Sequence, residues 1–299
     1  MEATAAKAQV TSLFANSVLS RLERMRLVFA RRATNRAHGE HLFGRGGSST
    51  EFSDFRDYVP GDDVRFVDWN AFARLNRPYI KLFELEQEMH VALLVDASGS
   101  MLFEDKLLRA KQLAAAFGVM GLLGVERVSV SAFSEKGMER LPPCTGRASL
   151  LKLFTFLERL EGGGEAPLER GIEEFLKRHV GKGVAIILSD FLTFGDVRRG
   201  CNLLFSAGLD VQGIQVLGPS EIEPELTSDS RLVDCESQTT LDITGAADIL
   251  AIYQEHREAY ARELAALCRQ RQGRFAAIGA ADPLDDVLFD LLRRKGWLE

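Results

Sequence analysis

The sequence predicts an α/β fold in which helices cover both faces of a mostly parallel sheet. From about residue 90 onward, short apolar segments alternate with segments whose apolar residues recur at helical spacing. Two of the short segments, residues 91–95 and 183–190, are apolar almost throughout. Strands of a parallel sheet are buried on both faces and have such continuous apolar runs. The two predicted strands lead into Asp96 and Asp190.

Composition and charge exclude several classes of protein. Of the 299 residues, 46% are hydrophobic and 27% are charged, which is ordinary for a globular protein. A net charge of −6 argues against general nucleic-acid binding, and four cysteines without a C-x-x-C pair do not indicate a zinc ribbon or a thioredoxin-like site. Because the sequence shows neither a secretory signal nor an apolar run of about 18 residues, we expect a cytoplasmic protein without a transmembrane segment.

Residues 1–45 form a basic segment. Apolar residues between positions 8 and 33 recur at helical spacing and predict an amphipathic helix, which a Gly- and Ser-rich loop follows. The segment carries eight Lys or Arg against three Glu, about +5, and since the chain totals −6 the remainder carries about −11. Two interpretations stay open: a solvated helix that packs on an acidic body, or an arm that docks on an acidic partner or membrane surface.

Residues 46–88 are expected to form a small β-rich segment. Pro60 and Gly61 mark a tight turn, because proline presets one backbone angle and glycine permits a positive one. The aromatic residues around this turn are mixed with charges of both signs, a balance that does not fit a nucleic-acid groove. The segment therefore predicts short strands around the turn.

Residues 89–299 predict the α/β domain itself. A pair of short strands near 230–243 is expected as a hairpin inserted into the alternating order. A long periodic segment, residues 248–272, predicts a long helix. The other predicted strands are 127–133, 210–218 and 273–280, and the other predicted helices are 106–123, 149–160, 168–178, 197–207 and 284–294.

Three side-chain oxygens at alternate positions follow the first apolar strand, those of Asp96, Ser98 and Ser100. Parallel sheets place their sites at the carboxyl ends of the strands, so we expect Asp190 beside them. Small oxygen ligands at positions i, i+2 and i+4 of a loop can converge on one Mg²⁺ or Mn²⁺ ion, and Gly99 lets this loop turn tightly. Such a weakly charged site stays electrophilic and attracts an acidic side chain from another protein.

Two other interpretations compete with the metal site. An aspartate nucleophile, as in haloacid-dehalogenase-type phosphatases, needs a second aspartate as general acid where this chain has Ser98. A serine nucleophile needs a G-x-S-x-G turn and a histidine base, and no motif links a histidine to Ser98. A metal-dependent hydrolase, above all a phosphatase, therefore remains only an alternative. The third interpretation is that Ser98 or Ser100 caps the following helix, which does not explain their spacing together with Asp190.

The stretch DASGSM, residues 96–101, resembles the D-x-S-x-S metal-ion-dependent adhesion site of von Willebrand factor A domains. Upstream, EFSDFRDYVPGDDVRFVDWNAFAR and the following YIKLFELE closely resemble the block that precedes such a domain in the bacterial domain-of-unknown-function family 58, DUF58. The later RLVDCESQTTLDIT resembles the strand pair of that family, so the likeness covers roughly residues 10–295. It implies a Rossmann-like domain of von Willebrand factor A type, preceded by an N-terminal helix and a small β-rich segment.

The resemblance implies a non-enzymatic adaptor that works with a MoxR-type AAA+ ATPase in chaperone-like remodelling of protein clients. It also implies that Asp96, Ser98, Ser100 and Asp190 bind the metal. Metal-binding A domains supply a further threonine from a G-G-T-x-L loop, whereas the matching stretch EGGGEAPLERGI has Glu165 near that point and no threonine. Either Glu165 substitutes with a charged oxygen, or the site is weakened or empty and the domain is a scaffold.

Overall fold

The chain forms two compact units, one made of Met1–Ala30 together with His90–Glu299 and the other of Arg31–Met89. The larger unit holds the N-terminal helix and the α/β domain, and the smaller unit holds the β-rich segment; each is described by itself. The computed structural model describes residues 9–28, 34–35, 50–86, 89–124, 126–193, 195–224, 229–233, 240–244 and 246–299.

The N-terminal helix is much shorter than its periodicity predicts. Helix α1 spans Asn16–Leu22, whereas we expected one helix over residues 8–33, a range whose ends lie outside the described residues. After α1 the backbone leaves the helix and pairs with a distant segment, where the Arg26 N–H donates to the Glu299 carbonyl oxygen over 2.9 Å. The prediction of one long helix is therefore wrong. The backbone after α1 pairs with the distant segment, although the apolar residues there still recur at helical spacing.

The smaller unit is an antiparallel sheet of three strands, β1 (Thr34–Asn35), β2 (Thr50–Asp57) and β3 (Tyr79–Glu86). Their order across the sheet is β1-β3-β2. Gly61 has a φ of 111° in the turn after β2, which confirms the predicted glycine turn. The sequence analysis missed helix α2 (Trp69–Leu75). The Asp68 side chain caps the start of this helix by accepting hydrogen bonds from the backbone N–H groups of Asn70 and Ala71.

A six-stranded sheet forms the centre of the larger unit. Its strands are β4 (His90–Asp96), β5 (Arg127–Ser134), β6 (Gly137–Cys144), β7 (Gly183–Ser189), β8 (Leu209–Leu217) and β11 (Phe275–Gly279). Their order across the sheet is β11-β8-β7-β4-β5-β6. All neighbours run parallel except β6, which is antiparallel to β5. The predicted α/β class with a mostly parallel sheet is confirmed.

Strand β6 is an element that the periodicity did not predict. It contains Pro142 and Pro143, and proline lacks the N–H that a central strand needs. The sheet accommodates both because β6 lies at its edge, where the register against β5 also shifts between Val128 and Val130. Whether a strand lies at an edge depends on the whole sheet, so the local sequence does not reveal it.

Helices cover both faces of this sheet. Those on one face bury Phe175, Leu204 and Leu267 against β4, β7 and β8. The predicted hairpin is present as the antiparallel pair β9 (Asp229–Val233) and β10 (Thr240–Thr244). No helix in the described part of the chain combines the length and hydrophobicity of a membrane span. The helices are α3 (Lys106–Leu123), α4 (Leu150–Arg159), α5 (Leu168–Leu176), α6 (Val197–Ser206), α7 (Pro219–Ile222), α8 (Ala246–Gln270) and α9 (Leu284–Asp286), which continues as a π-helix over Val287–Leu292.

Candidate functional site

Strand β4 lies inside the sheet, between β5 and β7. From β4 the chain builds outward to β5 and β6 on one side, then crosses to β7 and builds outward to β8 and β11 on the other. The crevice at the carboxyl ends of β4 and β7 is therefore the topological switch point, where open α/β sheets bind ligands. Asp96 ends β4 and Asp190 directly follows β7, so both predicted carboxylates lie at this crevice.

Hydrogen bonds hold the Asp96 carboxylate at both of its oxygens. Its Oδ1 accepts from the backbone N–H of Ser98 over 2.9 Å, and its Oδ2 accepts from the Ser189 hydroxyl over 2.6 Å. Despite these donors, burial and secondly the negative charge of Asp190 raise the pKa of Asp96 to about 6. The two carboxylates are thus close enough for the charge of one to act on the other.

The hydroxyls of Ser98 and Ser100 lie side by side, with 3.1 Å between their Oγ atoms. Ser98 is buried and Ser100 is half-buried. Neither side chain caps helix α3, because α3 begins at Lys106 and has Asp105 at its N-cap. The capping interpretation is therefore wrong for this helix. The structure instead brings the two hydroxyls together beside Asp96.

A glycine-rich loop after α4 contacts the loop of the two serines through its backbone. The Gly163 N–H donates to the Ala97 carbonyl over 2.8 Å, and the Gly99 N–H donates to the Gly164 carbonyl over 2.7 Å. Gly163 and Gly164 have φ values of 145° and 68°, a region that glycine tolerates best. Glu165, near the position expected for threonine, is exposed. The backbone of Glu165 thus lies near the site. The structure shows no contact between the Glu165 side chain and the described site residues.

The site contains a buried cation that the sequence analysis missed. Lys106, the first residue of α3, has 0% of its side chain exposed, and its Nζ lies 2.8 Å from Asp190 Oδ2 and 2.5 Å from Glu221 Oε1. Burial disfavours its charge, but the two carboxylates outweigh burial and hold the pKa of Lys106 above its ordinary value. A signal was present in the sequence, because Lys106 shares the apolar face of the predicted helix with Ala110 and Leu113.

Backbone donors fix both carboxylates that pair with Lys106. Asp190 Oδ1 accepts from the Leu192 N–H over 3.0 Å, and Glu221 Oε2 accepts from the Gly218 N–H over 2.7 Å. Glu221 belongs to α7, which follows the carboxyl end of β8. The ion pairs therefore join the start of α3 to the ends of β7 and β8.

Unusual backbone conformations are concentrated beside the site. Five non-glycine residues among those that the structure describes have a positive φ. Glu104 and Asp105, with φ values of 48° and 57°, directly precede Lys106, and Phe191, with a φ of 59°, directly follows Asp190. Such conformations cost about 1–3 kcal/mol each and persist where the surrounding structure enforces them, often at functional sites.

Exposed apolar side chains border the oxygen cluster. Leu102 and Phe103, two and three residues after Ser100, are 55% and 50% exposed. Leu192, two residues after Asp190, is 49% exposed. Single exposed apolar residues are ordinary, but several beside one polar cluster are typical of a surface that contacts another protein.

Two stacked histidines, the buried His90 and the half-buried His179, lie at the opposite end of the sheet. His90 is the first residue of β4 and Asp96 is the last, which separates them by about 20 Å along the strand. His179 stacks on His90 with 5.1 Å between the ring centroids, so it lies at the same far end. Neither imidazole is placed to act as a base at Asp96 or Ser98.

The sequence profile of the family described as "Protein of unknown function DUF58" matches residues 54–266, more than half of the chain. The chain belongs to the DUF58 family. Relatives of this DUF58 protein include uncharacterized protein Mb1516 of Mycobacterium bovis and uncharacterized protein Rv1480 of Mycobacterium tuberculosis, each 30% identical over 207 residues. The match covers 67% of this chain and 65% of the length of each relative. The predicted family is confirmed.

Solved structures similar to this DUF58 protein include A-type domains. BatB from Bacteroides thetaiotaomicron is 15% identical with a TM-score of 0.42, and the match covers 70% of this chain and 97% of that one. The SpRpn10 VWA domain is 10% identical with a TM-score of 0.39, over 69% and 95% of the two chains. Likeness at this level says nothing about function. The strand order and the D-x-S-x-S loop at the switch point are those of a Rossmann-like domain of von Willebrand factor A type.

Proposed function

We propose that this DUF58 protein is a non-enzymatic protein-binding module whose binding surface is the carboxyl edge of the sheet around Asp96 and Asp190. One observation carries the proposal: a buried oxygen cluster, unusual backbone conformations and exposed apolar side chains occur together at this edge. Strained conformations are often retained for function. The apolar border favours a protein partner over a small polar metabolite.

The proposed partner is a MoxR-type AAA+ ATPase, for which the protein acts as an adaptor toward protein clients. The support is membership of the DUF58 family, because the resemblance to that family implies such an adaptor. An ATPase partner requires ATP, so we propose that the complex acts in the cytoplasm. The matched relatives are themselves uncharacterized, so they add no partner of their own.

We also propose that the edge binds Mg²⁺ or Mn²⁺, which when bound would offer an open coordination position to a carboxylate of the partner. The donor types fit such an ion, since Ser98 and Ser100 supply hydroxyls and Asp96 and Asp190 supply negative charge, with Glu165 as the proposed further ligand. Burial of Asp96 beside a second carboxylate leaves charge that a cation would compensate. No three His, Cys, Asp or Glu side chains in the described part of the chain form a metal-holding group, so the affinity should be weak.

A metal-dependent hydrolase is the alternative, and two features of the site disfavour it. Ser98, at the position of the expected general acid, has a hydroxyl where a carboxyl would be needed, and this hydroxyl lies 3.1 Å from that of Ser100. The imidazoles of His90 and His179 lie at the far end of β4, about 20 Å from Asp96 along the strand. Steady turnover of a phosphate ester that Asp96→Asn abolishes would reverse this assignment.

Binding of a purified MoxR-type ATPase from the same genome tests the proposed surface. The double variant Ser98→Ala, Ser100→Ala and the double variant Leu102→Ser, Phe103→Ser should each weaken binding at least tenfold while the protein stays folded. Leu102 and Phe103 are 55% and 50% exposed, and each serine-to-alanine change removes only one oxygen atom. The control Leu151→Ser replaces a leucine that is 67% exposed on α4 and should bind like the unmodified protein. Normal binding by both double variants would show that the carboxyl edge is not the surface.

A chelator tests whether binding of the ATPase requires the metal ion. Binding is measured in excess EDTA and again after excess MnCl₂ is added. If the ion bridges to a partner carboxylate, EDTA should weaken binding and Mn²⁺ should restore it. Binding that ignores EDTA but is lost in the double variants would keep the surface and remove the ion.

A further inference from the structure

Both carboxylate oxygens of Asp190 are engaged inside the protein. Oδ1 accepts the Leu192 N–H over 3.0 Å, and Oδ2 lies 2.8 Å from Lys106 Nζ. The side chains of Asp190 and Lys106 are 1% and 0% exposed, so water screens their attraction very little. The carboxylate that β7 offers to a metal ion is therefore already paired with a cation.

Lys106 is held in this position from more than one side. Its second carboxylate, Glu221, lies 2.5 Å from Nζ and is itself fixed by the Gly218 N–H. The backbone oxygen of Glu221 accepts the Tyr253 hydroxyl of α8 over 2.7 Å. A lysine ammonium is a compact, strongly hydrated charge that an interior tolerates only with such partners. Specific partners therefore hold the Lys106 ammonium in its position at this edge.

We propose that Lys106 is an internal competitor for the divalent cation at this edge: its ammonium holds Asp190, and Mg²⁺ or Mn²⁺ binds tightly only when that charge is removed. The inference rests on the cation binding proposed above and adds the residue that limits its strength. A divalent ion beside the ammonium would place three positive charges near Asp96, Asp190 and Glu221. Repulsion between the ion and the ammonium is little screened in a buried site, so it weakens the binding of the ion.

Isothermal titration of the full chain with MnCl₂ tests the competition. Lys106→Met removes the charge and keeps a long apolar side chain, and it should tighten Mn²⁺ binding at least tenfold. Lys106→Arg keeps the charge and should bind as weakly as the unmodified protein. Lys152→Met, which removes an exposed lysine from α4, is the matched control and should change nothing.

The outcomes separate this inference from the proposed cation site. Equal and measurable affinity in the unmodified protein and Lys106→Met overturns the competition and leaves the cation site standing. No binding by either protein overturns both. Mn²⁺ should also raise the melting temperature of Lys106→Met more than that of the unmodified protein, since a ligand that binds only the folded state stabilises it.

A second variant keeps the test decisive if Lys106→Met does not fold. Removal of the ammonium leaves the buried Asp190 and the half-buried Glu221 without this positive partner, which is destabilising. The double variant Lys106→Met, Glu221→Gln removes one of those two charges and leaves Asp190 for the ion. It should bind Mn²⁺ at least tenfold more tightly than Glu221→Gln alone, and equal affinity in these two proteins would contradict the competition.

Discussion

Lys106 is the positive charge in a cluster with three carboxylates. The sequence predicted two of them, Asp96 and Asp190, and the fold adds Glu221. Such a buried ion pair adds little net stability, because desolvation of its charges offsets their attraction. Loss of one partner is different, since it leaves the other charge buried without compensation. The residues of this cluster are therefore expected to respond strongly to single substitutions.

Asp190→Asn should lower the free energy of unfolding by about 3 kcal/mol, because it removes the buried one of the two counter-charges of Lys106 and keeps an oxygen for the Leu192 N–H. Urea unfolding at neutral pH measures the loss. The control Asp285→Asn breaks the ion pair between Arg21 and Asp285, in which the Asp285 side chain is 55% exposed. It should change the free energy of unfolding by less than about 0.5 kcal/mol. Similar small effects in both variants would show that Lys106 does not need Asp190.

His90, at the amino end of β4, should make the free energy of unfolding depend on pH. Burial, and then the charges of His179, Arg127 and Arg140, lower the pKa of His90 to about 4, from an ordinary value of 6.5. Between these values the unfolded chain binds a proton at this position and the folded chain does not. Stability is therefore fully present above pH 6.5 and falls as the pH drops toward 4, by up to about 3 kcal/mol from this group.

Urea unfolding between pH 7 and pH 4.5 checks this titration. His90→Gln keeps a polar side chain beside Ser129 but cannot titrate, so its stability should fall less steeply with decreasing pH than that of the unmodified protein. His256→Gln, which removes an exposed imidazole from α8, should keep the original slope. A slope that His90→Gln leaves unchanged would assign the pH dependence to other groups.

Among the elements, α1 bears on the two interpretations of the basic segment, of which residues 1–8, 29–33 and 36–45 lie outside the described residues. Leu22 is fully buried, and the Phe14 ring meets the Phe154 ring of α4 edge-on at 6.0 Å. The arginine side chain of Arg21 is 54% exposed. The apolar side of α1 and the preceding Phe14 thus pack on the α/β domain, as in the first interpretation, while Arg21 remains in solvent.

Leu22→Ala should lower the free energy of unfolding by about 2–5 kcal/mol, because it opens a cavity under α1. Chemical unfolding measures this change. The control Val10→Ala alters a residue that is 50% exposed before the helix, and it should have an effect within about 0.5 kcal/mol. A helix that served only as a docking arm would give no loss of stability in Leu22→Ala.

At the scale of the larger unit, segments far apart in the chain close the fold. The Val28 N–H donates to the Trp297 carbonyl over 2.9 Å, and the Arg26 N–H donates to the Glu299 carbonyl over the same distance. The Trp297 ring is 5.9 Å from the Phe117 ring of α3. Contacts of such high sequence separation form only once the intervening chain is folded.

Trp297→Ala should therefore destabilise the whole unit, by about 3–5 kcal/mol, because it removes a buried aromatic side chain that is 3% exposed. Urea unfolding followed by circular dichroism measures the change. Lys295→Ala, an exposed neighbour, is the control and should be nearly neutral. If the two variants are equally stable, the pairing of the distant segments does not support the core.

The sequence by itself determined the class of fold and the position of the oxygen cluster. Continuous apolar runs at 91–95 and 183–190 specify strands buried on both faces, and the helical period of 106–123 coincides with the bounds of α3. These features are local, because burial on two faces constrains every residue of a short segment. The ends of the same two runs also predicted that Asp96 and Asp190 lie at neighbouring strand ends, and the D-x-S-x-S spacing added Ser98 and Ser100.

Only the tertiary structure decided where α1 ends, that β6 is a strand despite its prolines, and that Lys106 pairs with Asp190 and Glu221. Each depends on partners remote in sequence: Lys106 and Glu221 are 115 residues apart, and Arg26 pairs with Glu299. Local periodicity carries information about neighbours within a few turns or residues. The ion pairs of Lys106 and the end of α1 are set by long-range packing, because their partners come close only in the folded chain.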